Sequence, residues 1–377
     1  MACGEICSSN GRMPVCLKPF QHQVGGHSNI YVYDSNTVCK SGPSIGREII
    51  YYESLPNCLK EFTPDYRGCI DAQFEQMNDG EFCLITYPGD TVNGDTEHFG
   101  SFNQKCLNSF KLNSKFEEKA KSEADATIPA GDKNPWSTRC QMREFTRLKE
   151  AGKVSNPRKF ILLENVVGKL KQPSILDLKV GTRQYGDEES LKKRQQKIAT
   201  CQKTTSCTLG LRLTGMMKYQ ENIDKTVCKN KYFGRSLTSE TFVDEIEFYL
   251  SDDTGIIRKN VVHKILSKLL RLRAVIADLD TFRFYSTSLL FIYGKHNEPV
   301  TANDNTRTVG SEDDDKVRTV GSDDDEVLVY MIDFAHSTHS GFPDPKVVYE
   351  GPDTGFLLGL DTLIGFIQHL LTEARSS

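Results

Sequence analysis

Several features that would assign this chain to a common class of protein are missing from its sequence. Its 377 residues contain no Cys-x-x-Cys pair, a single Trp and no apolar run of the roughly 18 residues that a membrane span needs. Residues 1–13 lack the apolar core of a signal peptide, and Ala2 excludes the usual myristoylation pattern. We therefore expect a cytoplasmic or nuclear protein without zinc, whose 12 Cys are mostly buried thiols.

The sequence also lacks an excess of charge of one sign. It has 47 Lys and Arg against 51 Asp and Glu, a net charge of −4, and 38% hydrophobic residues, as in ordinary globular proteins. A chain with this balance has no global positive field to attract nucleic acid or an anionic membrane. We therefore expect neither partner and no membrane insertion, and any anion site must be a local cluster.

The segment 173–187 has the clearest functional pattern in the chain. Read as a strand, it places three apolar side chains on one face and Asp177 and Lys179 on the other. From Lys179 to Lys203 the chain then has seven Lys or Arg against three acids. The pattern indicates a phosphate-handling site, and it also fits a salt-bridged strand face exposed to solvent.

Residues 19–87 have the alternation and the turn signals of a small β-rich lobe. Lys40 ends a predicted strand at 37–40, and Glu48 lies on a predicted helix at 44–55. A strand lysine paired with a helix glutamate is the arrangement with which kinases hold nucleotide phosphates. The same two residues also satisfy the simpler hypothesis of a structural salt bridge.

Two long polar segments interrupt the pattern. Residues 88–157 are irregular and predict a largely flexible insertion, with a short ordered docking element at 134–136, Arg139 and Arg143. Residues 301–326 repeat an Arg-Thr-Val-Gly-Ser motif followed by acids, which predicts a solvated linker. These acids lack the ligand pattern of an EF-hand.

The rest of the chain has the pattern of a larger α/β lobe. Residues 159–167 predict a buried strand and a connector, where the hinge of a bilobal kinase would bind an adenine edge through backbone groups. Residues 206–219 predict a strand pair broken at Gly210 and Gly215. Amphipathic helices are predicted over 191–203, 236–250, 260–279 and 357–374.

The apolar run at 327–332 predicts a strand that is buried on both sides and ends at Asp333. An unpaired buried carboxylate is costly, so Asp333 should have a cation partner. A strand lysine, a hinge, a second lysine and a metal-holding acid thus follow one another in the order that a kinase uses.

The motif Pro-Ser-Ile-Leu-Asp-Leu-Lys-Val-Gly at 173–181 matches the PxxxDxKxG signature of the inositol polyphosphate kinases. Further stretches resemble the inositol hexakisphosphate kinases of animals, namely PFQHQVGGHSN, REIIYYESLP, KEFTPDYRG, NPWSTRC, FILLENVVG, TSCTLGLRLTGMMKY, MIDFAHS and GPDTGFLLGL. The resemblance extends over nearly the whole chain. It implies an α+β, bilobal, kinase-like fold, with a β-rich N-lobe and a larger α/β C-lobe that bears an inositol-phosphate-binding helical element.

The resemblance also implies a division of the chain into parts. An N-terminal tail would cover 1–18, the N-lobe with its insertion would cover 19–163, and the C-lobe would cover 164–377. Within the C-lobe lie the substrate-binding helical element and the acidic flexible linker, at about 182–203 and about 301–326.

The resemblance implies roles for residues on the nucleotide side of a site. Lys40 and Glu48 would steady the ATP phosphates, Asp177 would contact the ribose, and Asp333 would bind Mg²⁺. Ser288 would lie near the metal and the phosphates. The adenine hinge would be formed by Glu164, Asn165 and Val166.

On the acceptor side, the resemblance implies that Lys179 reaches both the transferred phosphoryl group and the acceptor, so that Lys179 and Asp333 form the catalytic pair. His336 would face the acceptor. The phosphates of the acceptor would be bound by Arg183, Lys193, Arg194, Gln196 and Lys197. Ala199 and Thr200 stand where further basic side chains are expected, which leaves the number of phosphate contacts open.

The implied activity is transfer of the γ-phosphoryl group of ATP, with Mg²⁺, to the 5-phosphate of inositol hexakisphosphate. Because that acceptor has no free hydroxyl, the product must be a diphosphoinositol pentakisphosphate, and an ionised phosphate needs no general base. The pentakisphosphate stays open as a second substrate, as do protein partners of the inserts at 88–157 and 301–326. The alternatives are a multikinase or 3-kinase acting on lower inositol phosphates, and a catalytically weak scaffold that binds inositol phosphates.

Overall fold

The structure, a computed structural model, has two antiparallel β-sheets with α-helices packed on them, which is the predicted α+β class. It describes residues 14–26, 28–77, 82–87, 125–132, 134–296, 325–343 and 345–376. Residues 1–13 and most of the predicted acidic linker at 301–326 therefore lie outside the described residues.

Thirteen strands lie within the described residues. They are β1 (Val15–Cys16), β2 (Lys18–Pro19), β3 (Asn29–Val32), β4 (Thr37–Ser41), β5 (Tyr66–Gln76), β6 (Phe82–Thr86), β7 (Asp125–Pro129), β8 (Arg158–Glu164), β9 (Leu170–Val180), β10 (Leu211–Gln220), β11 (Lys225–Asn230), β12 (Ser288–His296) and β13 (Glu326–Ile332). The helices are α1 (Ile45–Glu53), α2 (Asn57–Lys60), α3 (Pro135–Glu150), α4 (Leu191–Gln202), α5 (Thr205–Leu209), α6 (Lys231–Ser236), α7 (Ser239–Leu250), α8 (Lys259–Asp278) and α9 (Thr354–Ser376).

The strand that carries the signature motif lies in the middle of the second sheet. The first sheet has the order β1-β6-β5-β8-β4-β3-β2, and the second has the order β13-β12-β9-β10-β11-β7. β9 pairs antiparallel with β12 and β10, so that Lys179 lies opposite Ser288 on one neighbour and opposite Arg212 on the other. Because both edges of β9 are paired, the side chains that it projects have a rigid support.

The two faces of β9 are as predicted. Leu176, Leu178 and Val180 are buried in the largest apolar cluster, which also contains the buried stripes of α8 and α9. Asp177 and Lys179 project from the opposite face. The alternation in the sequence was sufficient for this prediction because a strand has a side-chain period of two whatever its neighbours are.

The prediction of a flexible insertion over 88–157 is wrong in its second half. β7 and α3 lie there, and β7 joins the second sheet beside β11. Residues 88–124 lie outside the described part of the chain. The helix was missed because its apolar positions are separated by charged residues, so that the segment as a whole reads as polar.

The segment predicted to be a short ordered docking element is ordered and forms the start of α3, whereas its docking role stays a prediction. Asn134 caps the helix, since its side-chain oxygen accepts a hydrogen bond from the Trp136 N–H at 2.9 Å. Phe145 and Leu148 of the same helix pack into the apolar cluster on the first sheet. The element is thus part of the folded core.

The predicted strand pair over 206–219 is also wrong in its first half. Its first residues form the short helix α5, and only the remainder is a strand, β10. Gly210 ends α5 with a left-handed backbone, at φ 64°, a conformation that favours glycine at a helix C-terminus. The alternation of the sequence does not reveal this cap.

The strand before Asp333 is not buried on both sides as predicted. Val327, Val329 and Met331 are buried, whereas the residues between them are half-buried. β13, the edge strand of the second sheet, therefore has one buried face and one face that is only partly covered.

One helix has the length and composition of a membrane span, contrary to the expectation from the sequence. Residues 354–373 of α9 meet that criterion, and 39% of this window is buried in the protein. Leu360, Leu363 and Ile367 lie in the main apolar cluster, and core helices meet the same criterion. The absence of membrane insertion stays a prediction.

Candidate active site

Lys40 and Glu48 form a buried ion pair between β4 and α1. Lys40 Nζ lies 2.6 Å from Glu48 Oε1, and the two side chains are 7% and 3% exposed. Burial alone would lower the pKa of Lys40, but Asp333 and Glu48 outweigh burial and raise the pKa above its ordinary value. The predicted pair is therefore present, with its lysine charged.

Asp333 connects the two sheets. Its Oδ1 accepts a hydrogen bond from Lys40 Nζ at 2.7 Å, and its Oδ2 accepts one from Lys179 Nζ at 3.0 Å. Burial would raise the pKa of Asp333, but the two lysines hold it well below its usual range. The prediction that Asp333 needs a cation partner is confirmed, and it has two.

Two residues at this junction have left-handed backbone conformations. Asp333 has φ 69° and Ser286 has φ 61°. Lys179 Nζ donates hydrogen bonds to the Ser286 carbonyl oxygen and to the Asp333 carboxylate. Such conformations cost about 1–3 kcal/mol each and persist where the surrounding structure enforces them. Here both of them direct an oxygen acceptor at Lys179.

Asp177 is more enclosed than a nucleotide contact requires. It is 3% exposed, and Thr214 Oγ1 donates to its Oδ1 at 2.9 Å. A Cβ atom at Gly25 would overlap the other carboxylate oxygen of Asp177. The glycine segment, Gly25 and Gly26, therefore covers the carboxylate. Burial raises the pKa of Asp177 against the opposing effect of Lys179. A ribose contact would require Gly25 to move away. Ser288, opposite Lys179, is fully buried as well.

The predicted hinge follows β8. The backbone N–H of Glu164 donates to Asp65 O at 2.9 Å, and that of Asn165 donates to Asn36 O at 2.8 Å. For Val166, no backbone acceptor is found within the described residues. Of the three predicted hinge residues, Val166 therefore has the backbone N–H that is open to a ligand.

The predicted acceptor cations of α4 differ in their availability. Lys193 and Gln196 are exposed. Arg194 Nε donates to the Glu189 carbonyl oxygen at 2.8 Å, and Lys197 Nζ lies 2.8 Å from Glu189 Oε2. Burial lowers the pKa of Lys197, although Glu189 opposes this effect. Arg194 and Lys197 are thus both held by groups of the loop that precedes α4.

Arg183 is held by the loop that follows β9. Its guanidinium donates to the hydroxyl oxygens of Tyr285 and Tyr349, each at 3.0 Å, and pairs with Asp187. The side chain is 28% exposed. Arg183 stabilises the loop in this structure, and contact with a substrate would require it to share these partners.

Two acids occupy the side of the site where an acceptor was predicted. Glu188 is hydrogen-bonded to His336 Nδ1 and lies 4.0 Å from the guanidinium of Arg47. Burial would raise the pKa of Glu188, but His336 and Arg47 lower it. His336 Nε2 lies 3.8 Å from Glu189, which brings this histidine close to Lys197. A cavity of about 120 Å³ adjoins these groups and is lined by Arg47, Asp187, Glu188, Thr338, Phe342, Pro343, Pro345 and Lys346.

Sequence reasoning missed Arg212, Arg47 and the two acids as parts of this site. Arg212 lies opposite Lys179 in the strand register and is 8% exposed. Burial and the nearby Arg235 lower its pKa to about 10. An arginine alone among apolar neighbours was a usable signal, but the register that brings it beside Lys179 was not readable.

Of the two aspartates at the site, one fits a metal site that has a single protein ligand. Among the described residues no group of three or more His, Cys, Asp or Glu is arranged to bind a metal ion. Mg²⁺ at phosphoryl-transfer sites commonly uses one or two carboxylates together with water and substrate phosphates. Asp333, whose side chain is 25% exposed, fits this pattern, whereas the covered Asp177 does not.

Comparison with known proteins gives matches over most of the chain. A family model described as inositol polyphosphate kinase matches residues 160–368. The chain is 36% identical to inositol hexakisphosphate kinase 1 of Mus musculus over 426 aligned residues, which cover 98% of this chain and 97% of the relative. It is 33% identical to inositol hexakisphosphate kinase 2 of Homo sapiens, with 96% of each covered. It is 35% identical to inositol hexakisphosphate kinase 3 of Mus musculus, with 94% and 95% covered.

Solved structures also match. A crystal structure of an inositol phosphate multikinase from S. cerevisiae in complex with ADP and Mn²⁺ aligns with a TM-score of 0.42 at 26% identity, over 56% of this chain and 84% of that chain. A second inositol phosphate multikinase structure aligns with a TM-score of 0.43 at 22% identity, over 55% and 84%.

Proposed function

The chain belongs to the inositol polyphosphate kinase family, and from this premise we propose that it transfers the γ-phosphoryl group of ATP to a phosphate of inositol hexakisphosphate. The product is a diphosphoinositol pentakisphosphate, with the 5-phosphate as acceptor. The near full-length similarity to three inositol hexakisphosphate kinases supports this activity. The bridge formed by Lys40, Asp333 and Lys179 supports its location. The protein is a phosphotransferase, and we place it in the cytoplasm, the nucleus or both.

On the nucleotide side, Lys40 binds the ATP phosphates, while Glu48 keeps its ammonium group charged and oriented. The backbone N–H of Val166 donates to the adenine edge, flanked by Glu164 and Asn165. Asp177 reaches the ribose when the glycine segment that covers it moves away.

Asp333 would hold the metal ion, and Ser288 would lie near the metal and the phosphates. Bound there, Mg²⁺ supplies neutralising charge for the phosphates of the nucleotide. Asp333 pairs with two lysines, so it can exchange one of them for the metal ion and still keep the other. The carboxylate is then never left as an unpaired charge.

On the acceptor side, Lys179 contributes positive charge where the acceptor oxygen meets the γ-phosphorus. That oxygen forms a bond to phosphorus, the bond from phosphorus to the β–γ bridging oxygen breaks, and ADP leaves with the electron pair. His336, which is hydrogen-bonded to Glu188, faces the acceptor. The remaining phosphates of the acceptor are bound by Arg183, Lys193, Arg194, Gln196 and Lys197.

The test is a turnover assay on purified protein with Mg²⁺, ATP and inositol hexakisphosphate, in which products are separated by anion exchange. We expect a product more highly phosphorylated than the substrate, which disappears with a metal chelator. The Lys179→Ala variant should lose at least about a hundredfold in turnover, because it lacks the charge that meets the transferred group.

Two other outcomes would reject this proposal in favour of its alternatives. Turnover of tris- or tetrakisphosphates without a pyrophosphate product would indicate the multikinase or 3-kinase activity of the same family. Tight binding of inositol hexakisphosphate without turnover of any inositol phosphate would indicate a scaffold.

Replacing Glu188 by Gln is expected to tighten binding of inositol hexakisphosphate by about three- to tenfold, close to 1 kcal/mol. The reason is that Glu188 occupies His336 and Arg47 and repels an incoming phosphate. Equilibrium binding of the hexakisphosphate measures the effect. Glu61→Gln is the matched control, since Glu61 forms an exposed pair with Arg271. Weaker binding by the Glu188 variant would mean that Glu188 instead orients His336 for the acceptor.

A further inference from the structure

Three consecutive acids, Asp187, Glu188 and Glu189, lie in the loop between β9 and α4, and the proposed reaction gives them no role. Each of them contacts a side chain that we assign to the acceptor. Asp187 forms an ion pair with the guanidinium of Arg183. Glu189 Oε2 lies 2.8 Å from Lys197 Nζ. Two of the acceptor cations are therefore already paired with this segment.

The middle acid, Glu188, holds the acceptor histidine. Its carboxylate is hydrogen-bonded to His336 Nδ1 and lies 4.0 Å from the guanidinium of Arg47. His336 Nε2 lies 3.8 Å from Glu189, so the ring stands between two carboxylates. A Cβ atom at Gly186 would overlap the carboxylate of Glu188. The glycine thus leaves room for Glu188 to reach the histidine.

The backbone of the same segment holds a fourth acceptor side chain. Arg194 Nε donates to the Glu189 carbonyl oxygen at 2.8 Å, and its guanidinium also donates to the Asp187 carbonyl oxygen. Residues 187–189 therefore bind four side chains of the proposed acceptor site at once, namely Arg183, Arg194, Lys197 and His336.

The carboxylates occupy the positions that acceptor phosphates need. The side chains of Asp187 and Glu189 are only 13% and 7% exposed, so the cations beside them face carboxylate oxygens more than water. A phosphate oxygen would approach the same nitrogen atoms at about 2.7–2.9 Å, and two anions cannot share that position. A phosphate monoester carries about −1.5 to −2 charges at pH 7, more than a carboxylate. An acceptor with several phosphates is therefore the stronger ligand.

We propose that residues 187–189 act as an internal competitor of the acceptor, which holds its binding groups until a highly phosphorylated polyol displaces the segment. The choice of acceptor in this inference rests on the proposed function. Asp187 keeps a partner after displacement, because the Tyr349 hydroxyl donates to its Oδ1 at 2.9 Å. Glu188 and Glu189 then turn to solvent. The segment thereby lowers the affinity of the site for its acceptor.

The first experiment is calorimetric titration of the full-length protein with inositol hexakisphosphate, without nucleotide. The variant Asp187→Asn/Glu188→Gln/Glu189→Gln should bind about thirtyfold more tightly than the wild type, roughly threefold for each pair that no longer has to open. In turnover assays its KM should fall by a similar factor while kcat does not rise, because these acids do not meet the transferred group. Unchanged or weaker binding would overturn the proposal.

A second variant moves one acid without changing any charge. Gly186→Ala should push the Glu188 carboxylate away from His336, and it should tighten hexakisphosphate binding by about threefold. The matched control for the triple variant is Glu240→Gln/Asp244→Asn/Glu247→Gln, which neutralises three exposed acids of α7 by the same substitutions. Its affinity should equal that of the wild type, and an equal gain would reduce the effect to net charge and overturn the proposal. Circular dichroism verifies that each variant is folded.

Hydrogen exchange measures the displacement itself. Addition of inositol hexakisphosphate to the wild-type protein should speed exchange of the backbone amides at 186–190, because the acceptor takes the partners of this segment. The amides of α4 should become slower over the same titration. Slower exchange at 186–190 as well would mean that the segment stays in place beside the ligand, which would overturn the proposal.

Failure of this inference can be told apart from failure of the proposed reaction. Absence of turnover in the wild type, together with tighter binding by the triple variant, would reject the reaction and uphold the competitor. Normal turnover with equal affinities in both proteins would reject the competitor alone. Absence of hexakisphosphate binding in both proteins would reject both.

Discussion

Replacing Asp333 by Asn is expected to reduce turnover by about 10²–10³-fold, the range found when one electrostatic contact to a transition state is removed. Asn has nearly the same shape, but it cannot pair with Lys40 and Lys179 as a carboxylate does, and it is a poor ligand for Mg²⁺. Binding of inositol hexakisphosphate should change little, because Asp333 holds the nucleotide side. Parallel measurements of turnover and of hexakisphosphate affinity check both halves of the expectation.

The control for this variant is Asp244→Asn, at an exposed position on α7. It should keep wild-type turnover and affinity. If the Asp333 variant kept its turnover, Asp333 would be a structural bridge between the sheets and not a metal ligand. If it lost turnover and hexakisphosphate affinity together, Asp333 would act on the acceptor as well as on the nucleotide.

Replacing Lys40 by Met is expected to lower the free energy of unfolding by about 3–5 kcal/mol, as is usual when one member of a buried ion pair is removed. Lys40 is 6% exposed and Glu48 is 2% exposed, so the glutamate would be left as a charge with no access to water. Asp333 would lose one of its two cations as well. Urea unfolding followed by fluorescence or circular dichroism measures the change.

The double variant Lys40→Met/Glu48→Gln separates charge from packing. It should recover a large part of the lost stability, because the buried carboxylate is now neutral, but it should not recover turnover. Lys60→Met, at an exposed position on α2, is the control and should be close to wild type. A double variant as unstable as the single variant would show that the cost arises from lost packing of the lysine stem.

Several features of the site were predictable from the sequence because their causes are local. The period of β9 places Asp177 and Lys179 on one face, whatever lies beside the strand. The short distance in sequence between Lys40 and Glu48 made their pairing a natural hypothesis. Asp333 needed a cation because it directly follows an apolar run, and a buried carboxylate without a partner costs much free energy.

Other features depend on segments that are far apart in the chain. Arg212 lies opposite Lys179 only because of the antiparallel register of β9 and β10, and a shift of one residue would turn its side chain to the other face. Glu188 meets His336 across 148 positions of sequence. The helix α3 was missed because its apolar stripe becomes visible only when a core is present for it to cover.

The sequence by itself determined the family, the main helices and strands, and the set of charged groups that the chemistry uses. These features follow from residue types and short-range periodicity, and neither depends on where a segment lies in the folded protein. The tertiary structure alone decided which of those charges meet, which are covered, as Asp177 is by Gly25, and which stay available, as Lys193 does. The physical reason is that an ion pair or a buried contact joins elements that are distant in sequence. No short stretch of the sequence contains both partners.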